Sequence, residues 1–118
     1  MDHKELDVWK ESMKLTALSY ELSIQFPSFE NFILKQQFLR SAISVPSNIA
    51  EGSGRKSDIE LMRFLDIALG SLAELETQYL IACQQNYLKK TPTFENQIEI
   101  VRKLILGFRN YLRNKNEK

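Results

Sequence analysis

A chain of 118 residues with 43% hydrophobic and 26% charged residues has the composition of one globular domain, large enough for a hydrophobic core and too small for two. Its formal net charge of +1 excludes the uniformly basic character of a nucleic-acid coat protein but leaves local basic surface open. Cys83 is the only cysteine, which excludes an intramolecular disulfide and a cysteine-cluster zinc site. No window is long and apolar enough for a signal peptide or a membrane span, so a cytoplasmic protein is expected.

Four glycines and three prolines punctuate the chain. Between them the apolar residues recur at helical spacing without strict alternation, which predicts an all-α fold over residues 1–118 as a single domain. The first helix is expected from about Glu5 to Gln25, ending before Phe26-Pro27 because the residue preceding proline disfavours the helical conformation. It carries two apolar stripes on nearly opposite sides, Trp9, Met13, Ala17, Tyr20 and Ile24 on one and Val8, Leu15, Leu18 and Leu22 on the other. One four-helix core can bury only one of them, and the stripe of Val8, Leu15, Leu18 and Leu22 is assigned to contact between copies of the chain.

Ser28 is placed to cap a second helix from about Phe29 to Glu51, with Gly52-Ser53-Gly54 supplying a left-handed exit. Leu39, Ala42, Ile43, Pro46, Ile49 and Ala50 form its apolar side, and Arg40, Ser44, Asn48, Glu51 and Arg55 a polar stripe. Pro46 removes one backbone hydrogen bond to the Ala42 carbonyl, so a kink is expected there, with Ser41, Ser44 and Ser47 near enough to satisfy freed carbonyls.

Ser57 and Glu60 read as a capping box that opens a third helix through Asn86, buried along Leu61, Phe64, Leu65, Ala68, Leu72, Leu75, Tyr79 and Ala82. Met62, Leu69, Ala73 and Leu80 lie outside that stripe, and Gly70 is read as permitting close backbone approach. Thr93 is placed to cap a fourth helix with Phe94, Ile98, Val101, Ile105, Phe108 and Leu112 on one face. Short connections predict an antiparallel up-down-up-down four-helix bundle.

Several segments resemble a known family: Asp7-Val8-Trp9, Phe26-Pro27, the run QFLRSAISVPSNIAEG from Gln37 to Gly52, Arg55, and FLDIALGSLAELE from Phe64 to Glu76. Over about Leu6 to Leu88 the chain is similar to the bacterial four-helix-bundle proteins related to those encoded in intervening sequences of 23S rRNA genes. The resemblance implies a small antiparallel bundle assembling into a ring-like homo-oligomer, a pentamer. It also implies association with structured RNA such as 23S rRNA or with a ribonucleoprotein, including ribosome association. Similar proteins serve as accessory factors of diversity-generating retroelements with basic ring surfaces; this nearly neutral chain departs from that type.

His3 is the only histidine and lies near the terminus, so a Ser-His or Cys-His nucleophile pair cannot be assembled at an ordered site, and no metal ligand set is evident. Neither catalysis, a cofactor nor a small-molecule substrate is expected. The segment from Gly52 to Ser57 holds glycines and two cations before a helix but lacks the glycine, lysine and serine spacing of a phosphate-binding loop. Glu51 and Glu76 are read with Arg40, Ser44 and Asn48 as a network fixing helix register or the subunit contact, meeting Arg40 or Arg55 from a neighbouring helix. Arg102, Arg109 and Arg113 fall on one stripe of the fourth helix, with Lys89, Lys90, Lys103, Lys115 and Lys118 nearby. They are the candidate phosphate contacts, and Arg55 with Lys56 a second patch. The resulting reading is a homo-oligomeric scaffold associating with RNA. Its rival, favoured by the near-zero charge, is a protein-binding ring or accessory subunit without nucleic-acid contact.

Overall fold

The structure is a computed structural model that describes residues 1–117; Lys118, counted above among the cations, lies outside them. Four helices form, α1 (Asp7–Ser23), α2 (Leu34–Ser53), α3 (Asp58–Gln84) and α4 (Pro92–Asn116), with short 3-10 turns at His3–Glu5 and Ser28–Glu30 and no strand among the described residues. α1 meets α2 and α4, α3 meets α2 and α4, and the α2–α3 contact is the most extensive. The body measures 50 × 24 × 21 Å. Cross-links between α3 and α4 join Asp58 to Asn116, Asp66 to Arg109, Glu76 to Arg102 and Tyr79 to Glu95. Numbers rise on one helix as they fall on the other, so this pair runs antiparallel.

Helix starts differ from the sequence expectation where side-chain acceptors compete. Ser28 opens a 3-10 turn and caps nothing; α2 begins five residues later than expected, where the Glu30 carboxylate accepts the Leu34 N–H at 3.3 Å. Ser57 does cap α3, its hydroxyl accepting the Glu60 N–H at 3.2 Å. Thr91, not Thr93, occupies the cap position of α4, because Pro92 fits the first helical turn, where its missing N–H has no partner to lose.

The stripe of α1 assigned to oligomer contact is the one that enters the core. Val8, Leu15 and Leu22 are buried and Leu18 is half-buried, while Met13, Tyr20 and Ile24 on the other stripe are 44%, 48% and 78% exposed. The reason lies in Ser12 and Ser19, both fully buried between the leucines. Their hydroxyls donate to the carbonyls of Val8 (2.7 Å) and Leu15 (2.8 Å) in their own helix, so these small residues belong to the core face without an unmet hydrogen bond. The core face of α2 is likewise rotated from the expected one. Phe38, Ala42, Val45 and Ile49 are fully buried, Leu39 and Ala50 sit at the margin, and Ile43 is exposed. The principal stripes of α3 and α4 are buried, with Phe64 and Phe108 at the edge.

α2 continues through Pro46. The carbonyl of Ala42, which has no N–H from Pro46 to accept, lies 3.2 Å from the Thr16 hydroxyl of α1, a donor it shares with the Ser12 carbonyl at 3.0 Å. The three serines expected to help are engaged elsewhere. Ser47 donates to the Ile43 carbonyl, Ser44 pairs with Ser71, and Ser41 accepts from the Gln78 amide at 3.0 Å once that amide is oriented to satisfy both its ends.

Gly52 is not a turn residue. It is buried within α2 and no glycine has a positive φ; a Cβ built on it would stand 2.7 Å from the Phe64 Cβ and 3.0 Å from the Leu61 Cδ1. Its role is close approach of α2 to α3. Gly70, expected to play that part, faces open space.

Three denaturation measurements follow from this packing. Gly52→Ala overpacks the α2–α3 contact and is expected to cost about 1–3 kcal/mol. Gly70→Ala, with nothing near its Cβ, gains about 0.5–1 kcal/mol. Thr16→Val keeps the side-chain shape but strands the Ala42 carbonyl, with an expected loss of about 1–3 kcal/mol on chemical unfolding.

Candidate functional site

The cations of α4 face a row of acids on α3. Arg102 reaches Glu76 at 2.8 Å and also pairs with Glu99 in its own helix. Arg109 holds both oxygens of Asp66, at 2.5 and 3.3 Å, and that carboxylate raises the guanidinium above its ordinary value. Lys115 lies 3.2 Å from Asp58, whose carboxyl is held below the usual carboxylate range by hydrogen bonds from Asn116 and Lys115. Of the three arginines read as phosphate contacts, only Arg113 makes no ion pair among the described residues. Arg109 and Arg102 thus fasten the α3–α4 seam. A stripe read along α4 alone could not reveal this, because the neutralising acids sit on the outer edge of another helix.

The second basic patch is also partly engaged. Arg55 pairs with Glu51 one helical turn back at 2.6 Å, and its guanidinium lies 4.9 Å above the Phe64 ring, a cation–π contact. Lys56 is exposed beside it.

The register network divides into separate pieces. Ser44 and Ser71 hydroxyls lie 2.8 Å apart across the α2–α3 contact, and the Asn48 amide donates to the Ser44 carbonyl (2.8 Å) and hydroxyl (2.9 Å). This knot ties α2 to α3. Glu51 is satisfied by Arg55, just past the end of its helix, and Glu76 faces α4, so neither meets Arg40. Arg40 and Glu74 instead stand in an open groove of about 460 Å³ with Ser41, Ile43, Ser44 and Ser71.

Other polar groups are likewise structural. Burial pushes the Tyr79 hydroxyl above its ordinary range; it donates to Glu95 and accepts the Thr91 N–H, each at 2.7 Å, clamping the start of α4 to α3. His3 packs edge-on to Trp9. Among the described residues no three His, Cys, Asp or Glu side chains converge as a metal site would require. No helix among them is long and apolar enough to cross a membrane.

The feature that residue-by-residue reading misplaced is the apolar outer face. Trp9, Met13 and Tyr20 of α1 and Ile43, Pro46 and Ala50 of α2 line a groove of about 400 Å³. Its signal was present as the second stripe of the first helix; the buried serines hid which stripe turns outward.

The profile of the 23S rRNA-intervening sequence protein family matches residues 4–107. The chain belongs to this family. A solved structure from Bacteroides thetaiotaomicron VPI-5482, described as a protein with unknown function from the S23 ribosomal protein family, is similar in fold. It superposes with a TM-score of 0.78 at 22% identity, covering 93% of this chain and 99% of that one. No curated protein matches the chain. The family segment contains α1, α2, α3 and α4 as far as Gly107, so the Ser44–Asn48–Ser71 knot and the α1–α2 groove lie within it, and Arg109, Arg113 and Lys115 beyond it.

The Asp58 pairing has a pH consequence. Its folded value lies below its unfolded one, so its stabilisation is complete above the ordinary aspartate range, about 3.9, and is lost as pH falls through the depressed value. Thermal melts across that acid window should show a steeper decline for the wild type than for Asp58→Asn.

Proposed function

We propose that the chain is a non-enzymatic scaffold, an antiparallel up-down-up-down bundle with α2 kinked at Pro46, that self-associates in the cytoplasm into a homo-oligomeric ring. The observation that carries this reading is the apolar outer face of α1 and α2. Met13, Tyr20 and Ile24 stand in water beside a groove floored by Ile43, Pro46 and Ala50. A continuous apolar surface of this kind ordinarily marks a protein contact. Apolar residues also stand exposed elsewhere, Ile67 and Leu80 on α3 and Leu106 on α4. Ring closure needs a head-to-tail contact between unlike surfaces, and the family resemblance implies five members.

The pairing of α4 with α3 supports a scaffold without direct nucleic-acid contact over one that binds RNA or a ribonucleoprotein. Phosphate affinity sums over free cations, and Arg102 and Arg109 are occupied by Glu76 and Asp66. Of the cations read as phosphate contacts, Lys56, Lys89, Lys103 and Arg113 make no ion pair among the described residues and remain for an RNA-bound form. Partner recognition through protein surfaces therefore accounts best for the geometry.

Light scattering tests self-association directly. The wild type is expected at several times the mass of one chain, and Met13→Glu with Tyr20→Glu at the mass of one, with helical circular dichroism unchanged; a wild-type monomer at every concentration overturns the reading. For the partner class, Lys56→Glu, Lys103→Glu and Arg113→Glu together should leave the copurifying set unchanged, and its loss in that variant or on nuclease treatment would restore RNA.

A further inference from the structure

A second groove runs along the N-terminal half of α2 and shares only Ile43 with the groove assigned to self-association. It encloses about 450 Å³ and is lined chiefly by Phe32, Lys35, Leu39, Arg40 and Ile43. Phe32 is 86% exposed, an unusual state for a phenyl ring with no partner. At about 100° per residue, Leu39 and Ile43 form the apolar row of the groove, with Lys35 on one border and Arg40 on the other. Five residues separate the two cations, about 7.5 Å along the helix axis.

The electrostatics of this groove are one-sided. No Asp or Glu stands between Glu30 and Glu51 in the sequence. Among the described residues neither Lys35 nor Arg40 makes an ion pair, in contrast to Arg55, Arg102, Arg109 and Lys115. The nearest preceding acid, Glu30, is held by the Tyr87 hydroxyl (2.9 Å) and the Leu34 N–H and does not line this groove. Glu74 shares the adjacent groove with Arg40 but does not line this one.

We infer that this groove docks an acidic amphipathic helix of another protein, its apolar stripe on Phe32, Leu39 and Ile43 and its carboxylates on Lys35 and Arg40. An apolar row bordered by cations on both sides is the complement of a helix whose i, i+3, i+4 and i+7 apolar residues are flanked by Glu or Asp. Unpaired cations at the borders supply attraction and select against basic partners. The aliphatic floor distinguishes this surface from a single-stranded nucleic-acid site, where bases stack on successive aromatic rings.

The test is fluorescence anisotropy with a labelled synthetic helix carrying Leu and Phe at those spacings and Glu on both borders. Two competitors accompany it, the same peptide with Lys replacing Glu and a single-stranded RNA oligonucleotide. The acidic peptide should bind the wild type, weaken with added salt, and lose about tenfold or more in affinity in Lys35→Glu with Arg40→Glu. Phe32→Ala should weaken it as well. Light scattering of the double variant should give the wild-type mass. Failure of the acidic peptide to bind, equal affinity for the lysine analogue, or binding indifferent to the double variant overturns the inference. Tighter binding of the RNA through Lys35 and Arg40 overturns it in favour of nucleic acid, and loss of the wild-type mass in the double variant overturns it in favour of a contact between copies.

Discussion

The hydrogen bond from Thr16 to the Ala42 carbonyl decides how this molecule presents itself. Pro46 leaves that carbonyl without its helical donor, and a buried carbonyl without a partner is costly. The Thr16 hydroxyl, on α1 at the border between its two apolar stripes, is shared between the Ser12 and Ala42 carbonyls, and it acts together with the buried Ser12 and Ser19 in fixing which side of α1 faces inward. In this arrangement Val8, Ser12, Leu15, Ser19 and Leu22 turn inward, Trp9 is half-buried at the edge of the core, and Met13 and Tyr20 remain outside. The outer groove on which self-association is proposed lies along this same α1–α2 contact.

Much of the architecture was legible because hydrophobic spacing reports helices well. The core stripes of α3 and α4 and the Ser57 cap could be read from the chain, each resting on interactions within one helix or on simple burial. What could not be read depended on a second helix. The choice between the α1 stripes turned on serines that are polar in composition but satisfied by their own backbone. Gly52 looked like a helix exit until Phe64 occupied the space where its Cβ would stand. The α4 arginines looked free until Asp66 and Glu76 were placed opposite them.

This last point moves the functional surface. A neutral chain can still bind polyanions if its cations are segregated from its acids, but on α4 they are interleaved across a seam and consumed by it. Segregation occurs instead on α2, where a long acid-free stretch leaves Lys35 and Arg40 beside apolar residues. Charge pairing thus neutralises part of the α4 face while leaving Lys35 and Arg40 unpaired, and that contrast is invisible in net charge.

The two seams of α3 also differ in kind. Toward α2 it is joined by the most extensive packing in the molecule, with Gly52 against Phe64 and the Ser44–Ser71 pair. Toward α4 its outer edge is held by exposed ion pairs, which ionic strength screens. Local opening therefore follows a hierarchy, with α2 and α3 as the most persistent unit and the C-terminal turns of α4, beyond the Tyr79 clamp, as the first to part. The persistence of that edge of the bundle is therefore tied to the ionic strength around it, while the α2–α3 packing is not.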